Sequence, residues 1–334
     1  MTRRLIIDTH NLLFRVAAMN AKQGGFSTDE EKAGLALHTS LMSVNKYFKQ
    51  FKPDQLIFAF EGDNNWRKTY TKSDKAITPL VYKANRVRDP SMEPFFALVK
   101  SFHEVMHNYT TAICIKVDSC EGDDVIAAVC QMYEGDENII VSADRDYVQL
   151  LAYKGVRLIT PEDGKDRTCD DIDYWLFEKC IRGDSGDNVH SAYPRVRTTK
   201  LQEAFADPYK LQNLMETEWQ GKVQEDGTQT TYKVGDFFQE NQLLMDLSAQ
   251  PDDIRAELEA EVERAIATDK KYSNFHFMKF LGQAGLEAIA ETIHLYTPML
   301  STKPKGVKPA QKVDVSEIST INKPTSSLDD LIQF

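Results

Sequence analysis

Four apolar runs of strand length in this chain each stop at or just before an acid. LII precedes Asp8, LIFAF precedes Glu61, AICIKV ends shortly before Glu121, and NIIVSA precedes Asp144. Between the runs, apolar residues recur at helical spacing, so strands alternate with helices, and that alternation specifies an α/β fold with a mostly parallel sheet flanked by helices. In such a sheet the carboxyl ends of the strands open onto one crevice. Acids far apart in sequence are therefore expected together: Asp8, Glu61, the trio Glu121, Asp123 and Asp124, the pair Asp144 and Asp146, and Asp187. Their mutual repulsion demands cations. A donor set made only of oxygen suits magnesium or manganese, not zinc.

The pattern along the chain gives the remaining organisation. A helix is expected from Leu12, and an amphipathic one over about 30–51, closed by Pro53. QLIFAF is a buried strand. Residues 61–90 are polar, with no apolar face, and read as a mobile arch or bridge that orders on a ligand. A helix over 92–109, a strand over 111–117, a helix over 121–132, a strand over 138–142, a helix over 145–151 and a strand over 155–160 complete an α/β domain, residues 1–165. Residues 166–300 read as a helical subdomain, with helices over 170–182, 198–217, 252–268 and 275–296, a turn-rich GDSGDNVHSAYPRVR, and a polar loop or hairpin over 220–235. Residues 301–326 hold five Lys, three Pro and no aromatic residue, a composition that cannot bury a core and reads as a disordered linker. Beyond it, 327–334 gathers Leu328, Leu331, Ile332 and Phe334, the pattern of a tethered peptide ligand.

Charge is unevenly distributed. Residues 1–116 hold 17 Lys/Arg against 11 Asp/Glu, whereas 117–190 hold 7 against 18. The net charge of −11 thus leaves a basic N-terminal third, and phosphate binding needs a local basic surface rather than a basic whole. The five cysteines form no CxxC pair and read as free thiols. No stretch approaches a membrane span, and the start MTRRLIIDTH does not resemble a signal peptide, so a cytoplasmic location is expected.

The ordered motifs IIDTHNLLFR, FEGDNNWR, YKANR, CEGDDVIA, SADRDYVQLL and IRGDSGDNV resemble those of the flap endonuclease and 5′-3′ exonuclease family, over roughly residues 3–300. Within it the chain looks most like the phage ribonucleases H of the T4 type. The resemblance implies a PIN-like, resolvase-like sheet, an arch over the active site and a helix-hairpin-helix-like subdomain. It also implies a metal-dependent 5′ nuclease that removes RNA primers and adjacent DNA during phage replication. Its substrates would be DNA and RNA–DNA duplexes with 5′ ends or flaps, and the protein would act as a monomer.

By that resemblance Asp8 and Glu61 fall on the first two metal-binding acids, with Asp63 a nearby substitute for Glu61. Glu121, Asp123 and Asp124 match a Glu-x-Asp-Asp, Asp144 and Asp146 an Asp-x-Asp, and Asp184 and Asp187 a Gly-Asp-x-x-Asp-Asn. Asp8, Glu61, Asp123 and Asp144 are expected on a first magnesium ion, and Asp146 and Asp187 nearer a second. Glu121, Asp124 and Asp184 would ligate directly or through water. Lys83 and Arg86 become the basic pair at the scissile phosphate, and Arg67 a further phosphate contact. Family members carry a Gly-rich turn that binds potassium. Here HSAYPRVRTTK lacks those glycines, which puts potassium in doubt and leaves Arg195, Arg197 and Lys200 as candidates for duplex phosphates. The terminal peptide resembles tails that dock on a sliding clamp, with a single-stranded-DNA-binding protein as the other candidate partner.

Blander readings exist for each motif. Glu121 and Asp123 suit a helix N-terminus, Asp144 and Asp146 a turn, Asp184 and Asp187 a Gly-rich loop, and the Lys/Arg-rich segment a solvated face. Joint occurrence at four strand ends is what weighs against them. Two other functions fit parts of the pattern. A PIN-type single-strand ribonuclease would not need Lys83, Arg86 or the GDSGDNV region, and a non-catalytic DNA-junction binder would not need the full set of acids.

Overall fold

The computed structural model describes residues 1–21, 28–86, 89–223 and 229–305. Most of the expected linker, and all of the terminal peptide with Leu328, Leu331, Ile332 and Phe334, lie outside the described residues. In chain order the first half contains β1 (Arg3–Asp8), α1 (Thr9–Ala21), α2 (Asp29–Phe51), β2 (Gln55–Phe60), α3 (Trp66–Thr71), α4 (Glu93–Tyr109), β3 (Ile113–Lys116), α5 (Gly122–Met132), β4 (Glu137–Val141) and β5 (Val156–Ile159). The second half contains α6 (Ile172–Arg182), α7 (Thr198–Phe205), α8 (Pro208–Met215), β6 (Glu218–Val223), β7 (Gln229–Lys233) and α9 (Val234–Met245). It ends with α10 (Asp252–Ala267), α11 (Asn274–Gln283), α12 (Glu287–Glu291) and α13 (Thr297–Ser301).

The five strands β1–β5 form one parallel sheet in the order β3-β2-β1-β4-β5. The central strand β1 sets the register, with Ile6 opposite Ile57 on one side and Ile140 on the other. Helices cover both faces, which is why Leu5, Ile6 and Ile7 are consecutive apolar residues and all fully buried. The α/β class and the parallel sheet are as the sequence suggests.

The chain divides into two compact units, and the division departs from the expected domains. The first unit takes residues 1–69, 86–172 and the described residues from 250 onward; the second takes 70–85 and 173–249. Helices α10 to α13, expected in the helical subdomain, belong instead to the sheet unit. Phe277, Phe280 and Leu281 of α11 and Met299 and Leu300 of α13 share one core with Phe58, Phe60 and Phe102. Their apolar faces are covered by α4 and its neighbours, so the polypeptide returns to the sheet unit after α9.

Residues 61–90 do not form one element. Residues 70–85 fold with the helical unit, where Tyr82 is buried in the core with Phe177, Phe237 and Phe238. The Ile77 and Thr78 amides donate to Glu240 on α9 at 2.6 and 2.8 Å, and Asn188 Nδ2 donates to the Val81 carbonyl at 2.8 Å. Lys83 takes a left-handed conformation (φ 53°), so it and Arg86 do not share a helical face as their spacing suggests.

Four further elements differ. Helix α9 begins at Val234, within the last residues of the expected loop, and fills a stretch with no element expected from the sequence. The helix expected over 275–296 breaks where Gly285 turns left-handed at φ 64°. The one over 198–217 breaks at Asp207, whose carboxylate accepts from the Tyr209 and Lys210 amides and starts α8 afresh. Residues Asp146–Ala152 form a 3-10 helix rather than an α-helix.

Candidate functional site

Asp8 closes β1 at the carboxyl end of the sheet's central strand, and it is almost wholly buried (6% exposed). Its Oδ1 accepts the Asn11 amide at 3.1 Å, while its Oδ2 accepts two hydroxyls, Ser142 Oγ at 2.9 Å and Tyr147 at 3.0 Å. Ser142 Oγ in turn accepts the Asp144 amide at 3.0 Å, which ties the end of β4 to the end of β1. Burial pushes the Asp8 carboxyl up to about 6; these hydrogen bonds oppose the rise and the Asp144 charge adds to it. Tyr147 is pushed well above its ordinary value, first by burial and then by the charges of Asp8, Asp123 and Asp144. Of these acids, Asp8 is in contact with the buried Tyr147 hydroxyl, while Asp123 and Asp144 act on it through their charge. Asp144 Oδ1 also accepts the Asp146 amide at 2.9 Å, which opens the 3-10 helix carrying Tyr147.

Glu61 follows β2 directly. Its Oε2 accepts the Gly122 amide at 3.2 Å, and its own amide donates to His10 Nδ1 at 3.3 Å. His10 is held neutral, its value lowered to about 4 by burial and then by Lys116 and His103. The glycine after Glu61 is a steric requirement. Gly62 donates to the Cys120 carbonyl at 2.8 Å, and a Cβ there would lie 2.2 Å from the Val117 oxygen. Asp63 is turned to Lys116 at 2.8 Å, a hydrogen bond that lowers its carboxyl below the usual range. Glu61, not Asp63, thus stands at the end of the strand.

Two expected site residues are occupied with each other. Asp124 on α5 is fully buried, and Arg67 on α3 is 1% exposed. Arg67 Nη1 and Nη2 donate to the two Asp124 oxygens at 2.7 Å each. The same carboxylate accepts the Glu121 amide at 3.1 Å, Gln250 Nε2 at 3.3 Å and Trp66 Nε1 at 3.4 Å. Burial pushes Asp124 up, yet the charge and hydrogen bonds of Arg67 outweigh it and hold the carboxyl below its ordinary value. Asp124 consequently has no oxygen to spare for a metal, and the Arg67 guanidinium is not presented to a phosphate. Both expectations are corrected: the pair is a buried clamp between α3 and α5, and nothing near Arg67 in the sequence announces a partner 57 residues away.

The helical unit holds a separate group. Asp187 Oδ2 accepts the Tyr82 hydroxyl at 3.0 Å and lies 3.7 Å from Lys83 Nζ, while the Lys83 amide donates to the Asp187 carbonyl at 2.8 Å. Asp184 accepts the Gly186 amide at 2.8 Å and the Asp187 amide at 3.3 Å, and it lies 3.7 Å from Lys179 Nζ. Gly183 before it is left-handed (φ 68°) and packed so that a Cβ would lie 2.5 Å from the His190 oxygen. Arg195, Arg197 and Lys200 are exposed, with Lys200 Nζ 3.2 Å from the Tyr193 hydroxyl. Arg86 is exposed and belongs to the sheet unit.

Residues 3–175 match the family model of the 5′-3′ exonuclease N-terminal, resolvase-like domain. The chain belongs to the 5′-3′ exonuclease family. Ribonuclease H of enterobacteria phage T4 is 28% identical over 183 residues, which are 50% of this chain and 57% of that protein. The chain thus spans little more than half the length of that curated relative. The T5 D15 protein co-crystallised with metal ions superposes with a TM-score of 0.52 at 17% identity, over 86% of this chain and 99% of that one. At that identity the likeness is one of fold, and it agrees with the sheet of this family member.

The acids at the sheet edge fit a divalent cation by donor chemistry. Asp8, Asp123 and Asp144 supply only oxygen around Tyr147, and among the described residues no Lys or Arg pairs with Asp8. Among the described residues no three His, Cys, Asp or Glu side chains are grouped closely enough to hold a metal ion between them. A divalent ion held by one or two carboxylates would complete its coordination with water. No described cysteine is in a disulfide, and no described helix is long and apolar enough to cross a membrane.

Proposed function

We propose that this family member is a divalent-metal-dependent 5′ nuclease, hydrolysing phosphodiester bonds in DNA and RNA–DNA duplexes at 5′ ends or flaps. Family membership supports the reaction class. The observation that carries the site is Asp8, a buried carboxylate with hydroxyl and amide partners but no basic one, near enough to Asp144 to feel its charge. A carboxylate so placed calls for a cation from outside the chain.

In this reading Asp8 is a direct ligand of one magnesium or manganese ion, Glu61, Asp123 and Asp144 complete its acidic surround directly or through its waters, and Asp146 and Glu121 act through water. Asp184 and Asp187, which the resemblance makes metal-binding acids, lie in the helical unit. A bound divalent ion supplies acidified water and neutralises charge at the reacting phosphate. The chain's own groups orient and neutralise. Ser142 and Tyr147 fix the Asp8 carboxylate, and the Gly122 amide holds Glu61. Lys83 and Arg86 provide cations for the charge that builds on phosphate oxygens. Arg195, Arg197 and Lys200 are exposed groups able to follow duplex phosphates without reading sequence.

The physiological role we propose is primer removal in phage DNA replication. Leu328, Leu331, Ile332 and Phe334 would serve as an apolar docking peptide for a sliding clamp. The decisive experiment offers a 5′-labelled flap duplex, a nicked RNA–DNA hybrid and a bare single strand with magnesium. Short products from the 5′ ends of the duplexes are expected. Cleavage of unpaired RNA alone, or binding without cleavage, would overturn the assignment. Asp144→Asn or Asp123→Asn should cut turnover by orders of magnitude and spare duplex binding, because phosphate contacts lie on other residues.

A further inference from the structure

A carboxylate has two oxygens with two lone pairs each, and the partners of Asp8 are divided unequally between them. Oδ2 receives two hydroxyl protons, from Tyr147 at 3.0 Å and from Ser142 at 2.9 Å. The Ser142 proton is committed to Asp8, because the serine oxygen already accepts the Asp144 amide. Oδ1 receives only the Asn11 amide, which leaves it one lone pair. The Tyr147 ring is 2% exposed and fixed in the 3-10 helix that follows Asp146, so its hydroxyl cannot swing to water.

We infer that Tyr147 is a positioning residue that makes Asp8 a one-oxygen ligand and so sets the proposed metal site for magnesium against calcium. Magnesium demands a near-ideal octahedron of single oxygens, whereas calcium takes more ligands and accepts both oxygens of one carboxylate. With Oδ2 filled by two hydroxyls, the two-oxygen mode is closed to Asp8. Opening it would break a buried hydroxyl bond and strand the donor without a partner, the costly outcome for any buried polar group. Phenylalanine at position 147 would keep the ring and remove the donor, reopening one lone pair on Oδ2.

This inference rests on the metal site proposed above, and its test separates the two. The whole protein, without nucleic acid, is titrated calorimetrically with magnesium and separately with calcium, as wild type, Tyr147→Phe, Ser142→Ala and Asp8→Asn. Thermal melting of each variant is recorded alongside. Wild type should bind both ions, and Asp8→Asn should lose most of that affinity. Tyr147→Phe should tighten calcium relative to magnesium by roughly tenfold, the lower end of what one outer hydrogen bond to a metal ligand is worth. Ser142→Ala frees the same oxygen by the other route and must move the ratio in the same direction, which keeps the test alive if Tyr147→Phe folds poorly. A mere loss of packing would weaken both ions together and leave the ratio alone. An unchanged calcium-to-magnesium ratio in both variants, with Asp8→Asn still defective, overturns the role of Tyr147 and leaves the metal site standing. Failure of the wild type to bind either ion, or unimpaired binding by Asp8→Asn, overturns the site and this inference with it.

Discussion

Asp8 and Asp124 are both buried carboxylates of the sheet unit, yet the chain treats them in opposite ways. Asp124 receives a full guanidinium from Arg67 and sits below its ordinary value; Asp8 receives two hydroxyls and an amide and is raised to about 6. A third buried carboxylate, Glu240 in the helical unit, accepts the Ile77 and Thr78 amides. The contrast separates an acid neutralised by a guanidinium within the fold from one whose partners are all neutral. Burial alone would not separate structural acids from functional ones, whereas the charge of the partner does.

The sharpest way to break the comparison is to remove the cation from the neutralised pair. Arg67→Met should cost about 3–5 kcal/mol, because it strands a buried charge, and should lower the melting temperature by on the order of 10 °C. Arg67→Met combined with Asp124→Leu should recover most of that loss in calorimetry. A single variant that melts like the wild type would show that the pair carries no structural weight.

At Asp8 the same kind of change should act with the opposite sign. In divalent-free buffer at pH 8, Asp8→Asn should raise stability by about 2–3 kcal/mol, since it removes an ionised group that burial disfavours. Cleavage of a 5′-labelled flap should collapse in the same variant. A destabilised Asp8→Asn would mean that the carboxylate is already compensated within the protein.

The acids also differ in their response to pH. Between about 3.8 and about 6 the folded chain holds a proton on Asp8 that the unfolded chain has released. Without metal, this group makes stability fall as pH rises through that window. Asp124, lowered in the fold, contributes stability that is present above its unfolded value and lost as pH falls through its folded one. Added magnesium should therefore raise the melting temperature above pH 6, and the increment should shrink as pH drops below 6. An increment independent of pH between 5 and 8 would place the ion elsewhere. The smallest effect is expected at Glu240→Gln, which keeps one acceptor oxygen and should cost about 1 kcal/mol, read as faster amide exchange at Ile77 and Thr78.

The sheet and its acidic edge were legible because both depend on local pattern. Runs such as LII and NIIV have the length and β-branched content of buried strands, and Asp8, Glu61 and Asp144 stand directly at or after their ends. What escaped depends on partners distant in the chain. Arg67 and Asp124 look like surface groups until α3 and α5 are packed together. The α10–α13 helices read as a continuation of the helical subdomain because nothing in Phe277, Phe280 or Leu300 says which core they enter. Helix α9 carries Val234, Phe237, Phe238, Leu244 and Met245 at helical spacing, but Gly235 and the polar hairpin before it obscure where it starts. Tyr147 carried no signal, since its hydroxyl matters only once β1 and β4 lie side by side.

At the other end of the sheet, the Lys305 amide donates to the Asp54 carbonyl at 3.1 Å, and Gln55 Nε2 donates to the Lys305 carbonyl at 3.0 Å. Both anchor residues lie at the start of β2, whereas Glu61 follows its finish. Any cargo grafted beyond Lys305, whether a dye, an affinity handle or a bead, would be moored at the foot of the sheet. The acids would then face away from the mooring, separated from it by roughly 20 Å, six residues at about 3.3 Å each. A tethered single-molecule assay could exploit this polarity, because a force applied through the C-terminal attachment would load the floor of the sheet rather than its acidic rim.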